Sequence, residues 1–235
     1  MVRGVAGRRE EYRHVKSRLA ADAQPLTVAR AFREKLRLER LYLADLDGIQ
    51  FGRPQYDVCR LLSSHGFELY VDAGLRNVDA AAALFDAGAA AVIAGLETSE
   101  GPEQLRELCR RFGAGRLMFS LDLTDGRPLT PSKNWKTDDP LEIARAAISA
   151  GVPRMIVLDL AHVGTGRGVG TAELCARLRT EFRDLEIIAG GGVRNLYDLQ
   201  ALDALGIDGV LLASALHDGT IGLGEIQSLR SKISG

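Results

Sequence analysis

Cysteine is scarce in this 235-residue chain, and the three present, Cys59, Cys109 and Cys175, form neither a CxxC pair nor any Cys/His ligand spacing. That argues against a disulfide framework and against a bound metal, and it fits reduced thiols in a cytoplasmic protein. Net charge is nearly absent too, −1 at neutral pH with a pI near 6.4, so the broad basic footprint of a nucleic-acid binder is missing. Long apolar runs are lacking: the most apolar stretch, Ala80 to Leu96, is broken by Asp86 and Gly88, and the N-terminus shows no apolar segment of the signal-peptide kind. The expectation is no nucleic-acid partner and no membrane partner. Only the first residues are locally basic. There Arg3, Arg8, Arg9, Arg13, Lys16 and Arg18 alternate with Glu10 and Glu11, as a solvated face or as an anion-contacting segment.

What is present is a repeat. Gly74-Leu75-Arg76-Asn77 and Gly192-Val193-Arg194-Asn195 each follow an apolar strand and precede a helix, a glycine and a second strand. One constant offset carries Gly74, Arg76, Asn77, Ala83, Leu84, Gly88 and Val92 onto Gly192, Arg194, Asn195, Ala201, Leu202, Gly206 and Val210. A repeat of about half the chain, built of strand, turn and helix, predicts one α/β domain over residues 1–235. Its fold is a TIM (β/α)₈ barrel assembled from two half-barrels.

Short β-branched or leucine-rich runs place strands at 41–45, 68–72, 91–95, 117–122, 155–159, 186–190 and 209–213. These are seven, one short of a complete ring. Either Val2 to Ala6 serves as a short first strand, or the sequence begins after it and leaves the outer strands with unpaired edges.

Chemistry in such a barrel sits at the C-terminal ends of the strands. Carboxylates stand there in number: Asp45 with Asp47, Asp72, Glu97, Asp122 with Asp125, and Asp159. Any one can cap the following helix, but several around one opening supply an acid and a base. Asp45, Asp122 and Asp159 are the catalytic candidates, Asp122 foremost because it ends an apolar strand before a long polar loop. That loop carries Trp135, either packed on its own scaffold or covering a ligand. The glycine-dense segment after Asp159 misses a dinucleotide fingerprint, since Val169 stands where a glycine is needed, and reads as a mobile loop that brings Thr165 and Arg167 to a substrate.

The two glycine turns differ in chemistry. Gly190, Gly191 and Gly192, with Ala213 and Ser214 on the companion loop, offer main-chain donors and no acid, which suits a phosphate. In the earlier copy Asp72 replaces Gly190 and Glu97 replaces Ala215, and two carboxylates beside a phosphate dianion repel it. One phosphate site is expected to survive.

Taken together, Ala44-Asp45-Leu46-Asp47-Gly48, Ser120 to Gly126, Gly190 to Val193 and Ala213 to Leu216 resemble the histidine-biosynthesis barrels HisA and HisF, with HisA order and spacing over nearly the whole chain. The resemblance implies a cofactor-free Amadori-type conversion of a phosphorylated aminoaldose to an aminoketose, with two aspartates as acid and base. It puts Asp122 at one of them, Trp135 at the loop that covers the substrate, Gly191, Gly192 and Ser214 in the phosphate loops, and Arg3 and Gly7 just after the first strand. The first-strand aspartate has no counterpart here. Val163 departs from the aspartate frequent in HisA. These departures fit a HisA-related paralogue, of the kind found in organisms making methanopterin-type one-carbon cofactors, that takes a monophosphorylated precursor. A third reading is a non-catalytic or partner-dependent barrel. The partner expected is a small phosphorylated molecule, with the protein a monomer or a homodimer.

Overall fold

The computed structural model describes residues 1–129 and 133–233, with side chains up to 228. Seven parallel strands form the main sheet: β3 (Arg40–Ala44), β4 (Glu68–Asp72), β5 (Ala91–Gly95), β6 (Leu117–Thr124), β8 (Arg154–Asp159), β9 (Glu186–Gly190) and β10 (Gly209–Leu211). They lie in the order β10-β9-β8-β6-β5-β4-β3, so each strand follows its predecessor round a nearly closed barrel. Helices fill the crossovers, including Tyr56–Ser64, Val78–Asp86, Pro102–Phe112, Pro140–Ser149, Ala172–Glu181 and Leu196–Ala204, and a further helix, Pro25–Leu36, precedes β3. All seven strands read from the apolar runs are found, with β10 two residues shorter than expected.

The alternation along each strand builds two apolar layers. Tyr70, Ala91, Ile93, Met118, Ile156, Leu158 and Ile188 fill the barrel interior. Phe119, Leu121, Met155, Val157, Ile187 and Ala189 face outward to the helices, where Leu105, Leu108, Ile143 and Leu178 complete the larger cluster. No helix among the described residues is long and apolar enough to cross a membrane.

The N-terminal residues do not enter the barrel. Val2–Arg3 forms β1, which pairs antiparallel with β2 (Arg13–His14) as a separate two-stranded ribbon. The segment is instead sewn to the strand-end loops: the Ala6 amide donates to the Val163 carbonyl at 2.8 Å, and the Arg18 amide to the His217 carbonyl at 2.9 Å. Among the described residues no ladder joins β10 to β3. That seam is closed by side chains, with Leu36 and Phe32 of the first helix packed on Leu199, Leu216, Ile221 and Ile226.

The sequence repeat is a structural one. Asn77 and Asn195 cap their helices with extended backbones and accept bonds from Ala80 and from Tyr197 and Asp198 respectively. Such a side chain satisfies amides that the first helical turn leaves open. Gly88 and Gly206 end the same two helices at φ +97° and +71°, a conformation a side chain resists. A new two-residue turn, Asp125-Gly126, has positive φ at both positions and folds β6 back onto β7 (Arg127–Pro128), as the tight hairpin geometry requires.

Candidate functional site at the barrel mouth

Inward alternation brings Asp72, Gly95 and Asp122, from three neighbouring strands, to the same end of the barrel. Ser120, two residues before Asp122 and hence on the same face, donates its hydroxyl to Asp122 Oδ1 at 2.6 Å. Asp122 Oδ2 is buried and has no hydrogen-bond partner among the described residues. A Cβ added to Gly95 would lie 3.1 Å from that oxygen and 3.5 Å from Asp72 Oδ2. Two carboxyl oxygens, with Thr98 Oγ1 at 3.8 Å, therefore converge on the position that a side chain at Gly95 would take.

Asp72 is held differently. Its Oδ1 accepts from the Gly74 amide at 3.1 Å, and its Oδ2 faces the Tyr42 hydroxyl on β3 at 3.5 Å. Both aspartates are nearly sealed from solvent. Burial pushes Asp122 up to about 8, with the Asp72 charge adding to it and the bonds from Ser120 and the neighbouring Glu97 amide opposing. Burial likewise raises Asp72 to about 7, against the pull of the Gly74 amide and the Arg9 guanidinium. Tyr42 is pushed well above its ordinary value, first by burial and then by the Asp72 charge. Carboxyls raised towards neutrality in a cleft suit proton transfer.

Asp45 and Asp159 have other occupations. Asp45 caps the helix Leu46–Phe51, accepting from the Gly48 amide at 3.1 Å and the Gln55 amide at 2.5 Å. Asp159 binds the Asp125 and Ala161 amides through one oxygen, at 3.1 and 3.0 Å, and the Gly126 amide through the other, at 2.8 Å. Its carboxylate thus fastens the β6–β7 turn to the end of β8. In both residues the oxygens already accept main-chain protons.

The later glycine turn is tightly packed. Gly191 and Gly192 adopt φ +87° and +82°, and a Cβ at Gly191 would come within 2.7 Å of the Asp159 carbonyl. At Gly192 it would collide with the Gly168 carbonyl, and at Gly190 it would meet Leu158 at 2.9 Å. Only bare main chain fits there. Ala213 is exposed beside the half-buried Ser214, which opens the short helix Ser214–His217.

The remaining candidates lie round the rim. Arg3 makes a bidentate pair with Asp218, both contacts 3.1 Å. Thr165 is exposed and donates to the His162 carbonyl at 2.9 Å, Arg167 is exposed beside it, and the His162 ring closes the same loop on the Gly168 carbonyl at 2.8 Å. Trp135 is 3% exposed and packs on Phe119 with ring centres 5.2 Å apart, on the outer face of β6. Part of its loop, including Ser132, lies outside the described residues.

The composition of this mouth was only half legible. Tyr42 and Gly95 carried no motif, Arg9 stood out only as one of a basic run, and Asp72 and Glu97 were counted among the strand-end acids but singled out only as obstacles to phosphate. The signal for a paired role was the alternation that puts residues 72, 95, 120 and 122 on one face.

A family model described as histidine biosynthesis protein matches residues 1–222. The chain belongs to that family. Among its relatives, a 1-(5-phosphoribosyl)-5-((5-phosphoribosylamino)methylideneamino) imidazole-4-carboxamide isomerase of Desulforudis audaxviator is 32% identical over 216 residues, covering 88% of this chain and 80% of the relative. An isomerase of the same name from Gloeobacter violaceus is 34% identical over 199 residues, covering 81% and 76%. Another, from Methanococcus maripaludis, is 31% identical over 193 residues, covering 79% and 78%.

Proposed function

We propose that this protein is an aldose–ketose isomerase that converts a phosphorylated aminoaldose to the corresponding aminoketose, with Asp122 moving the proton. The family and the isomerase names of its relatives support the reaction class. The observation that carries the assignment is the Asp122 carboxyl: buried at the mouth, anchored through one oxygen by Ser120, with the other unpartnered among the described residues.

The conversion needs little more than such a group. In the open-chain imine, C2 loses a proton and the nitrogen gains one, giving an enolamine; the C2 hydroxyl then loses its proton as C1 gains one, leaving the ketone. A carboxyl within reach of both carbons takes the proton from C2 and returns it to C1. Its raised pKa makes both transfers accessible near neutral pH. The side-chain-free turn Gly190–Gly192 with Ala213 and Ser214 serves as the seat for the phosphate, by main-chain donors and the Ser214 hydroxyl. In this reading Asp45 and Asp159 hold loops and Arg3 braces the rim through Asp218. Thr165 and Arg167, on an exposed loop, remain free to meet the substrate.

A second reading concerns the substrate. The relatives' printed substrate carries two phosphoribosyl groups, whereas here Asp72 and Glu97 occupy the earlier copy of the phosphate turn. That favours a paralogue acting on a monophosphorylated aminoaldose. Incubating the protein with the relatives' substrate and with a monophosphorylated aminoaldose, and following ketose formation by mass-neutral chromatographic shift, tests both. Turnover of neither by the folded protein overturns the isomerase assignment.

A further inference from the structure

We infer that the half of the mouth formed by Asp72, Asp122 and Glu97 round Gly95 binds a protonated amine, so that the substrate carries one phosphate at one end and an amino group at the other. This rests on the isomerase reading and its phosphate seat, and it goes beyond them by naming what the other half of the mouth holds.

The repeat supplies the comparison. The later half presents Gly190 and Ala215 where the earlier half presents Asp72 and Glu97. Exchange of bare backbone for carboxylates at matched positions inverts the preferred charge of the ligand. A second phosphate dianion would face three acidic side chains, only one of which has a cationic partner: Arg9 pairs with Glu97 at 2.5 Å, and neither Asp72 nor Asp122 has an ion pair among the described residues, so any charge either acquires stands uncompensated. Repulsion in a buried cleft is far stronger than in water.

Asp122 Oδ2 points to a donor. It is buried, has no hydrogen-bond partner among the described residues, and lies 3.1 Å from the position a Cβ at Gly95 would take, with Asp72 Oδ2 3.5 Å from the same position. No hydrogen bond joins the two carboxyls, so a group between them has an acceptor on each side. An ammonium has three donors and one positive charge, which favours the ionised form of the carboxyls beside it and gives charge-assisted bonds to each. No group of three potential ligands among the described residues is placed to hold a metal ion; an organic cation fits better. Seating the amino nitrogen there also sets the adjoining carbons beside Asp122, where the proton has to move.

Calorimetric titration of the whole chain with three probes tests this: glucosamine 6-phosphate, glucose 6-phosphate and fructose 1,6-bisphosphate. Glucosamine 6-phosphate is expected to bind about tenfold more tightly than glucose 6-phosphate, the scale of one charge-assisted contact, and the bisphosphate no better than the latter. Asp72→Asn should erase the amine preference, and Glu97→Gln should narrow it; glucose 6-phosphate binding by each variant reports that it still folds. Equal binding of the three probes, a preference for the bisphosphate, or an amine preference that survives Asp72→Asn overturns the inference while leaving the isomerase reading intact. Failure of wild-type protein to bind any of the three removes the phosphate seat and this inference together.

Discussion

The Arg9 guanidinium meets the Glu97 carboxylate at 2.5 Å, joining the N-terminal segment to the loop that follows β5 across the barrel mouth. Both side chains are about a quarter exposed, so the pair adds little to stability through screened attraction alone. Its influence is local: Arg9 lowers the pKa of Asp72 while Glu97 raises it. Arg9→Gln should therefore move the Asp72 titration upward. Carbon-13 NMR of the carboxyl resonances would show it, and an unmoved Asp72 would mean that the guanidinium does not act there.

Removing the proposed proton carrier is the direct test of chemistry. Asp122→Asn keeps the shape and the Ser120 contact but cannot exchange a proton, so kcat should fall by about a hundredfold or more. Retention of near-native kcat, measured with a turned-over aminoaldose, would place the transfer on another group.

Stability should depend on pH in a direction opposite to that of ordinary surface acids. Asp72 and Asp122 are raised in the folded protein to about 7 and about 8, so the native state holds protons that the unfolded chain has released. Stability from this source is complete below the unfolded carboxylate range and declines as pH rises from about 4 to about 8. The melting temperature should drop across that interval in wild type. Asp122→Asn should flatten the slope and melt higher than wild type at pH 8.

Asp45 and Asp159 should behave as structural acids. Asp45→Ala loses a cap and a second amide contact and should cost about 1–2 kcal/mol, with kcat changed little in the folded fraction. Urea unfolding alongside kinetics separates the two effects. A collapse of kcat without loss of stability would return Asp45 to the chemistry.

Trp135 should report packing. Trp135→Phe keeps the ring contact with Phe119 and removes an indole nitrogen that has no partner among the described residues, so unfolding free energy should change by less than about 1.5 kcal/mol. A larger loss, read by circular dichroism during denaturation, would show that the indole is bound in a way the packing does not explain.

The sheet was readable because each buried parallel strand is an apolar run bounded by glycines or acids, and Asn77 and Asn195 announce the helices that follow. Roles among the strand-end acids were not. A cap and a proton carrier occupy the same place in sequence; what separates Asp45 from Asp122 is whether a main-chain amide happens to curl onto the carboxylate, which depends on the loop beyond. Trp135 posed the same difficulty, since its partner Phe119 lies on the far side of the strand from the mouth. Arg3 found Asp218 at the other end of the chain, a pairing no local pattern encodes. Asp72 was visible as an exception to the repeat, and only the side-chain-free position at Gly95 brings it to Asp122.

The seam between β10 and β3 gives the barrel an uneven mechanics. Everywhere else, widening the ring means breaking a ladder of directional bonds; at this joint it means sliding the oily contacts of Phe32 and Leu36 over Leu216 and Ile226 and parting the few polar ties between residues 17 and 18 and His217. A joint of that kind should yield before the ladders do. It adjoins the Ser214 loop, so any change in the girth of the ring would carry the proposed phosphate seat with it.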